Sequence, residues 1–343
     1  FFNLMKPTIL VDPFPRTMEL IFTKDKLNYL KSNFKLIKRY KQSEESFYNK
    51  NISNAKFIIG QPTLKLSILK KAKKLKAIFN VESNFLHNID YDYCHKNKIY
   101  VLSTSPVFAQ PVAEMSLGLL LSIARSIHIA HNDFIRGKEK YGGEISQKNF
   151  LIKNKNFGFI GFGDLANATL PLIQPFASKI LVYDPWISNL KIKSKNLQPV
   201  SLNDLMKKSD IIFVYATSTI SNQKMIHYKN LNLMKDKSTI LIMSRAAVVN
   251  FNDLYKFLKK RNVFAGIDVY PLEPVKKSDP IRKLRNVIFS PHRAGALDEV
   301  FKEMGEIVVK DIKLITSGLK QKHCKKAELK TISKIISKPV DIN

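Results

Sequence analysis

Apolar residues along this chain fall into two rhythms. Short runs such as Thr8-Ile9-Leu10-Val11, Lys56-Phe57-Ile58-Ile59, Ala77-Ile78-Phe79-Asn80-Val81 and Ile99-Tyr100-Val101-Leu102 have strand length. The longer mixed segments between them repeat their apolar positions at helical spacing. Strands alternating with helices need crossover connections, so the first third predicts a parallel sheet. A long helical pattern follows from Gln110 to about Arg136, with Pro111 in its first turn. The polar stretch from Gly137 to Asn156 reads as a linker or exposed excursion.

A second alternating series begins at Phe157. Its strands are expected at 157–160, 180–183, 211–214, 239–243, 263–267 and 287–289, each a near-continuous apolar run of the kind a strand covered on both faces requires. That inventory is the one a doubly wound dinucleotide domain needs. After Ala296 a last helix runs to about Ser317, and a lysine-rich tail that is expected to fray follows it. The predicted organisation is a first segment at 5–109, a dinucleotide domain at 110–295 entered by the long helix, a returning helix at 296–318 and a basic tail at 319–343.

A chain of 343 residues can bury two cores. Two cysteines, Cys94 and Cys324, cannot build a disulfide framework and lack metal-ligand spacing, which points to a reducing, cytoplasmic setting and no structural metal. No run is expected to cross a bilayer, which takes about 20 apolar residues; Met115 to Ile129 carries Arg125 and reads as a buried helix. The formal charge of +29 changes the picture less than its size suggests. Only nine of the 57 basic residues are Arg, the side chain suited to bidentate phosphate recognition. The lysines are spread along the chain, and the densest stretches, 65–76 and 320–338, do not alternate with aromatics. This distribution argues for a solvated lysine surface and against a nucleic-acid or membrane partner, while speeding encounter with small anions.

Directly after the 157–160 run, Gly161-Phe162-Gly163-Asp164-Leu165-Ala166 has the form G-x-G-x-x-A and opens a helical pattern. Gly161 supplies a tight turn, Gly163 lets the backbone approach a pyrophosphate, and Ala166 is small enough for close helix–strand packing. The pyrophosphate then rests on the first amides of the helix, which makes Gly161, Gly163, Asp164 and Leu165 candidate cofactor contacts. About twenty residues on, Asp184 closes the next strand in Tyr183-Asp184-Pro185 and is placed to accept hydrogen bonds from a ribose 2′-hydroxyl. Its charge would repel a 2′-phosphate, so NAD is favoured over NADP.

Chemistry in such sheets gathers at the carboxyl edge. Arg245 follows the 239–243 run behind Ser244, Glu273 lies beyond 263–267 in Asp268-Val269-Tyr270-Pro271-Leu272-Glu273-Pro274, and His292 follows 287–289 in Ser290-Pro291-His292-Arg293-Ala294-Gly295. Reduction of a 2-keto acid needs a fixed cation for the carboxylate and carbonyl, a proton donor titrating near neutrality, and an acid to orient that donor. Guanidinium, imidazole and carboxylate suit those roles. Singly, each has a plainer reading as surface cation, solvated acid or structural histidine. Together behind a dinucleotide turn they satisfy a test of role and location.

With these segments in view, the chain resembles the D-isomer-specific 2-hydroxyacid dehydrogenase family from about Met5 to Ser317. Ser244 to Asn250 is similar to the family's catalytic arginine segment, with Ala246 where glycine is usual. Asp268 to Pro274 is similar to its D-V-F-x-x-E-P segment, and Ser290-Pro291-His292 to its histidine segment. Val112-Ala113-Glu114 resembles the opening of the interdomain helix, and Asn88-Ile89-Asp90 the N-I-D after the substrate loop. The resemblance implies an α/β protein with a doubly wound Rossmann domain and a discontinuous flavodoxin-like substrate domain. It also implies a homodimer formed through the cofactor domain, cofactor contacts from Ser244, Arg245 and Asp268 (the last to the nicotinamide carboxamide), and substrate contacts from Ser83, Asn84, Phe85, Arg245 and His292. Three features depart from the pattern. Ser83-Asn84-Phe85 replaces the usual G-x-G, Glu82 ahead of it disfavours a phosphorylated substrate if it faces inward, and Tyr215-Ala216-Thr217 replaces the adenine-side H-x-P.

Two functions follow from these observations. One is an NAD-dependent oxidoreductase interconverting a small D-2-hydroxy acid and its 2-keto acid, with Arg245, Glu273 and His292 as its catalytic set. The other is a catalytically weak, dinucleotide-sensing binding protein resembling the family's corepressors, which keep the same three residues.

Overall fold

Each apolar run of the first third becomes a strand of one sheet. In the computed structural model, which describes residues 6–82, 84–142 and 149–336, these are β1 (Thr8–Asp12), β2 (Lys35–Lys38), β3 (Ala55–Gly60), β4 (Ala77–Asn80) and β5 (Tyr100–Ser103). They pair in parallel in the order β5-β4-β3-β1-β2, the flavodoxin-like arrangement. The strand the periodicity misses is β2, a polar Lys-Leu-Ile-Lys segment at the sheet edge, where flanking lysines discourage pairing with another chain.

The second series gives β6 (Lys155–Ile160), β7 (Ala177–Tyr183), β8 (Gln198–Pro199), β9 (Ile211–Val214), β10 (Thr239–Ile242), β11 (Phe264–Ile267) and β12 (Val287–Phe289). All are parallel, in the order β12-β11-β10-β9-β6-β7-β8, so the sequence order reverses between β6 and β9. This doubly wound sheet carries hydrophobic clusters on both faces, one around Ile212, Ile240, Phe257 and Ile267, the other around Phe157, Phe159 and Phe213. The chain divides into two units, Phe1–Val107 with Ala296–Asn343, and Phe108–Gly295.

The helical pattern expected from Gln110 to Arg136 is two helices, Ala109–Ala124 and Ile127–Ile135, separated where Ser126 adopts a left-handed φ of 50°. The first buries Val112, Leu119, Leu120 and Ile123 against the Phe157 cluster, whereas the second has no buried residue. Helical periodicity continues past the point where the packing partner ends. The stretch Ser105–Ala124 is, by length and composition, long and apolar enough to cross a membrane, contrary to the expectation from sequence. Half of it is buried inside the protein, as befits a core helix.

The tail expected to fray is folded through residue 336. After the returning helix Asp298–Thr316, the fully buried Asp311 carboxylate accepts hydrogen bonds from the consecutive amides of Lys322 (2.9 Å), His323 (3.0 Å) and Cys324 (2.7 Å). A carboxylate needs several donors to be buried, and the turning tail supplies them. The chain then forms β13 (Lys325–Lys326), antiparallel to β5, and a last turn of helix, Leu329–Ile332. The Ile335 carbonyl meets the His87 Nε2 at 2.6 Å.

Candidate functional site

The carboxyl edge of the Phe108–Gly295 sheet gathers the candidate residues of that unit. Gly161 ends β6 at φ +89°, and a Cβ there would lie 2.6 Å from the backbone of Ala216, so both conformation and space require glycine. At Gly163 an added Cβ would meet nothing within 4 Å, so the turn opens onto free space ahead of the helix Asp164–Ile173. The first amides of a helix have no intrahelical partner. This open glycine turn before such amides fits a dinucleotide pyrophosphate. Asp164 and Leu165, half-buried, are in the first turn, and Ala166 is fully buried against the sheet. Asp184, at the end of β7, accepts from the Phe162 amide through Oδ2 (2.8 Å) and from the Trp186 amide through Oδ1 (2.8 Å), tying the glycine turn to the neighbouring strand.

Ser244 and Arg245 follow β10. The Ser244 hydroxyl is within donating distance of the Val214 (3.2 Å) and Ala216 (2.9 Å) carbonyls and so joins this turn to the end of β9. Arg245 donates through Nη1 to the Ser244 carbonyl at 2.7 Å. Burial lowers the guanidinium pKa from its ordinary value, and the charge of Glu273 works the other way.

Glu273 and His292 meet directly. His292 Nδ1 is 2.7 Å from Glu273 Oε2, and Glu273 Oε1 accepts from the Tyr270 amide at 2.9 Å. An ionised carboxylate only accepts, so Nδ1 carries the hydrogen and Nε2 is left for proton exchange. The pair is open to solvent, with half of the His292 side chain exposed. His292 has a left-handed φ of 52°, an uncommon conformation for a side-chain-bearing residue and one that clusters at functional sites.

Buried Asp268 overdetermines that loop. Its Oδ1 accepts from the Ser290 hydroxyl and the Arg293 amide (3.0 Å), and its Oδ2 from the Ala294 amide (3.3 Å). The Tyr270 hydroxyl donates to the Ile267 and Ser290 carbonyls, both at 3.0 Å, and burial pushes its pKa up to about 12. Ser290 and Tyr270 escape sequence reasoning, although both lie in the segments that carry His292 and Glu273. Tyr215, read from sequence as a departure at the adenine contact, points into the core. Its buried hydroxyl donates to Ser116 Oγ (2.8 Å) and lies 2.9 Å from Thr169 Oγ1.

The other unit has its own carboxyl edge. Ser83 lies outside the described residues. Asn84 is half-buried and its carbonyl accepts from the Asn80 side chain. Phe85, half-buried, packs edge-on against Tyr91, centroids 6.4 Å apart, beside the β1–β5 core. Glu82, 2% exposed, accepts from Gln61 Nε2, while its amide donates to Gln61 Oε1 at 2.9 Å and Asn80 Oδ1 at 3.0 Å. Arg16, whose Nε donates to the Val81 carbonyl at 2.8 Å, has a pKa lowered by burial and raised in part by Glu82. A cavity of about 370 Å³ opens here, lined among others by Asp12, Arg39, Gln61, Glu82, His87 and Asn88. Arg39 Nε donates to Asp12 Oδ2 at 2.6 Å. Sequence reasoning misses Asp12, Arg39 and Gln61, which share only the property of following or flanking strand ends. Among the described residues no cluster of His, Cys, Asp and Glu could hold a metal ion.

Residues 117–294 match the profile of the family described as D-isomer specific 2-hydroxyacid dehydrogenase, NAD binding domain. A glyoxylate reductase of Thermococcus litoralis is 31% identical over 73% of this chain and 77% of its own length. A D-3-phosphoglycerate dehydrogenase of Methanocaldococcus jannaschii is 30% identical over 73% of this chain and 47% of its own. Among solved structures, a phosphoglycerate oxidoreductase from Rhizobium etli is similar over 94% of this chain and 99% of its own, at 36% identity and a TM-score of 0.85.

Proposed function

The chain belongs to the D-isomer-specific 2-hydroxyacid dehydrogenase family and is a nicotinamide-dependent 2-hydroxyacid dehydrogenase; on that premise we propose that it interconverts a small D-2-hydroxy acid and its 2-keto acid, with His292, Glu273 and Arg245 as its catalytic set. The observation that carries the assignment is the 2.7 Å contact between His292 and Glu273 on a loop fixed by buried Asp268. When bound, the nicotinamide supplies or takes up the hydride at the substrate's C2. His292 Nε2 gives a proton to the carbonyl oxygen in reduction and takes it back in oxidation. Glu273 fixes the ring's tautomer by accepting the hydrogen on Nδ1. Arg245 holds the substrate carboxylate, and its burial strengthens that attraction because the local dielectric is low.

Gly161, Gly163, Asp164, Leu165 and Ser244 contact the cofactor, and Asp268, with acceptor capacity left on Oδ2, receives its carboxamide. Asp184 uses two of its roughly four acceptor sites on amides and keeps the rest for ribose hydroxyls, which supports NAD over NADP. Asn84 and Phe85 contact the substrate, together with Ser83, which lies outside the described residues. The exposed apolar face of the helix Ile127–Ile135, with Phe134 64% and Ile135 68% exposed, supports a homodimer that covers it. The free, buried thiols of Cys94 and Cys324 support a cytoplasmic setting.

The test is NADH consumption over glyoxylate, hydroxypyruvate, pyruvate and longer 2-keto acids. Turnover is expected on at least one of them, with NADPH at least about 10-fold poorer in kcat/KM, which corresponds to about 1.4 kcal/mol. Inactivity across the panel with intact NADH binding would replace this reading with a dinucleotide-sensing binding protein.

A further inference from the structure

We propose that the amino-terminal edge of the β1–β5 sheet is a docking surface for the phosphate backbone of a nucleic-acid duplex. Sequence alone disperses the lysines, and the fold collects them. Lys6 stands two residues before β1, Lys35 opens β2, Lys56 is the second residue of β3, Lys76 immediately precedes β4, and Lys98 stands two residues before β5. The registers align these starts, because Thr8 pairs with Lys35 and Ala55, Phe57 with Ala77, and Ala77 with Tyr100. Backbone bonds from Lys76 N to Lys56 O (2.9 Å) and from Tyr100 N to Lys76 O (2.8 Å) continue the alignment past the strands. Lys56 occupies the irregularity where β3 slips against β1, and Lys326 of β13 holds its ammonium 5.4 Å over the Tyr100 ring. Neighbouring strands lie about 4.8 Å apart, so the five starts form a row of roughly 19 Å. A duplex carries about eleven phosphates over that length.

Two plainer causes do not account for the row. Lysines in the last turn of a helix complement its dipole, which explains Lys31, Lys50 and Lys96. No such dipole acts on a lysine at the start of a strand. Lysine-rich composition is the other cause, and the second unit tests it. There, Lys155, Lys179, Lys237 and Arg285 also stand at or near strand starts, but Asp210 and Asp236 share that edge ahead of β9 and β10 and pair with Lys235 (2.9 Å) and Arg261 (2.8 Å). None of the five row lysines makes an ion pair among the described residues, and four of them are exposed, Lys56 being half-buried. The acids of this segment sit at the opposite edge: Asp12 ends β1, Glu82 follows β4, and Asp25, Glu44 and Asp92 lie in first helical turns. Glu328 follows β13, which runs antiparallel to β5 toward the row.

The geometry favours a duplex over other polyanions. Adjacent strands rotate by about 20–25°, so the strand starts fan through roughly 90° along the row and do not share the single plane a bilayer presents. The row lacks the interleaved aromatics on which single-stranded bases stack. Lysine is a point charge without bidentate base recognition, so binding is to phosphates and independent of sequence.

The probe is a random-sequence DNA duplex followed by fluorescence anisotropy on the full chain, between about 50 and 200 mM salt. Binding is expected with a log–log salt slope of about −4.5, near 0.9 for each of the five phosphates neutralised by the row. Reversing Lys35, Lys56, Lys76 and Lys98 to Glu should weaken it at least about 10-fold, and the gentler Lys→Gln set should flatten the slope with an unchanged Tm. The control reverses four exposed lysines of the second unit, Lys193, Lys195, Lys229 and Lys256, and should lose less than about 3-fold. Equal losses in the two sets, no salt-dependent binding by the native protein, or tighter binding to phosphatidylserine vesicles than to duplex would overturn the proposal.

Discussion

In the Phe108–Gly295 unit the carboxyl edge is shaped by backbone conformation. Gly161 at φ +89° makes the turn, His292 at φ +52° presents the imidazole, and Asp268 holds the loop through two amides and a hydroxyl. In the other unit the same edge is shaped by side chains drawn from separate loops, with Asp12 on Arg39, Glu82 on Gln61, and Arg16 reaching the Val81 carbonyl. A backbone-built site demands particular residues in contiguous runs. A side-chain-built site takes one residue from each of several loops and leaves no run behind. The first kind tolerates loss of its reactive group without losing its shape, and the second loses shape when a single partner goes.

The largest expected effect tests the first half of that contrast. His292→Ala should lower kcat by about 10²–10⁴-fold, the range for general acid–base catalysis, with NADH affinity changed by less than about 2-fold. Steady-state kinetics beside NADH fluorescence titration measures both. A matching loss of NADH affinity would mean that the imbidazole side chain, and not the Asp268 clamp, shapes the edge.

Next in size is Asp311→Ala in the other unit. Removing the carboxylate strands the amides of Lys322, His323 and Cys324, which begin the strap that pairs with β5. Buried donors left unsatisfied cost about 1–3 kcal/mol each, and partial relaxation puts the loss near 3 kcal/mol. Urea unfolding should show it in the midpoint, with Asp311→Asn in between because one acceptor oxygen remains. An unchanged midpoint would show that the strap docks without its anchor.

The glycines give a smaller, paired test. Gly161→Ala places a methyl group 2.6 Å from the Ala216 backbone at a left-handed φ and should lose at least about 2 kcal/mol of stability. Gly163→Ala meets open space and should leave Tm unchanged while weakening NADH binding about 10-fold, because the methyl group occupies the pyrophosphate's approach. If the two variants behave alike, the turn is not divided into a conformational and a ligand-facing glycine.

The same contrast explains what was legible beforehand. The glycine turn, Asp184, and the segments around Arg245, Glu273 and His292 are contiguous strings, and the structure brings Glu273 and His292 into direct contact. Asp12, Arg39 and Gln61 are single residues in unrelated loops, so nothing in the string marks them. The helix break at Ser126 was hidden because the apolar spacing runs on unchanged, while the loss of a packing partner is a tertiary fact. The folded tail was hidden for the opposite reason. Its lysines look like a solvated segment until a buried carboxylate from the preceding helix collects its amides.

Tyr215 carries the smallest effect and the sharpest test of where that unit's side chains point. It lies stacked at 5.5 Å on Phe213, with its hydroxyl between Ser116 and Thr169, whose own hydroxyls donate to the Val112 and Leu165 carbonyls. Tyr215→Phe therefore leaves no donor stranded and should remove only about 1 kcal/mol, a Tm shift of about 2–4 °C, without altering NADH affinity. Burial raises the phenol's pKa in the folded protein. The folded state thus keeps its proton where the unfolded chain, with a phenol pKa of about 10, releases it. The stability from that difference is fully present below pH 10 and is lost as the pH rises above it. The phenylalanine variant should lose less stability than the native protein on going from neutral pH to above 10, as measured by urea unfolding at each pH. An equal loss in both proteins would place the Tyr215 hydroxyl in contact with water.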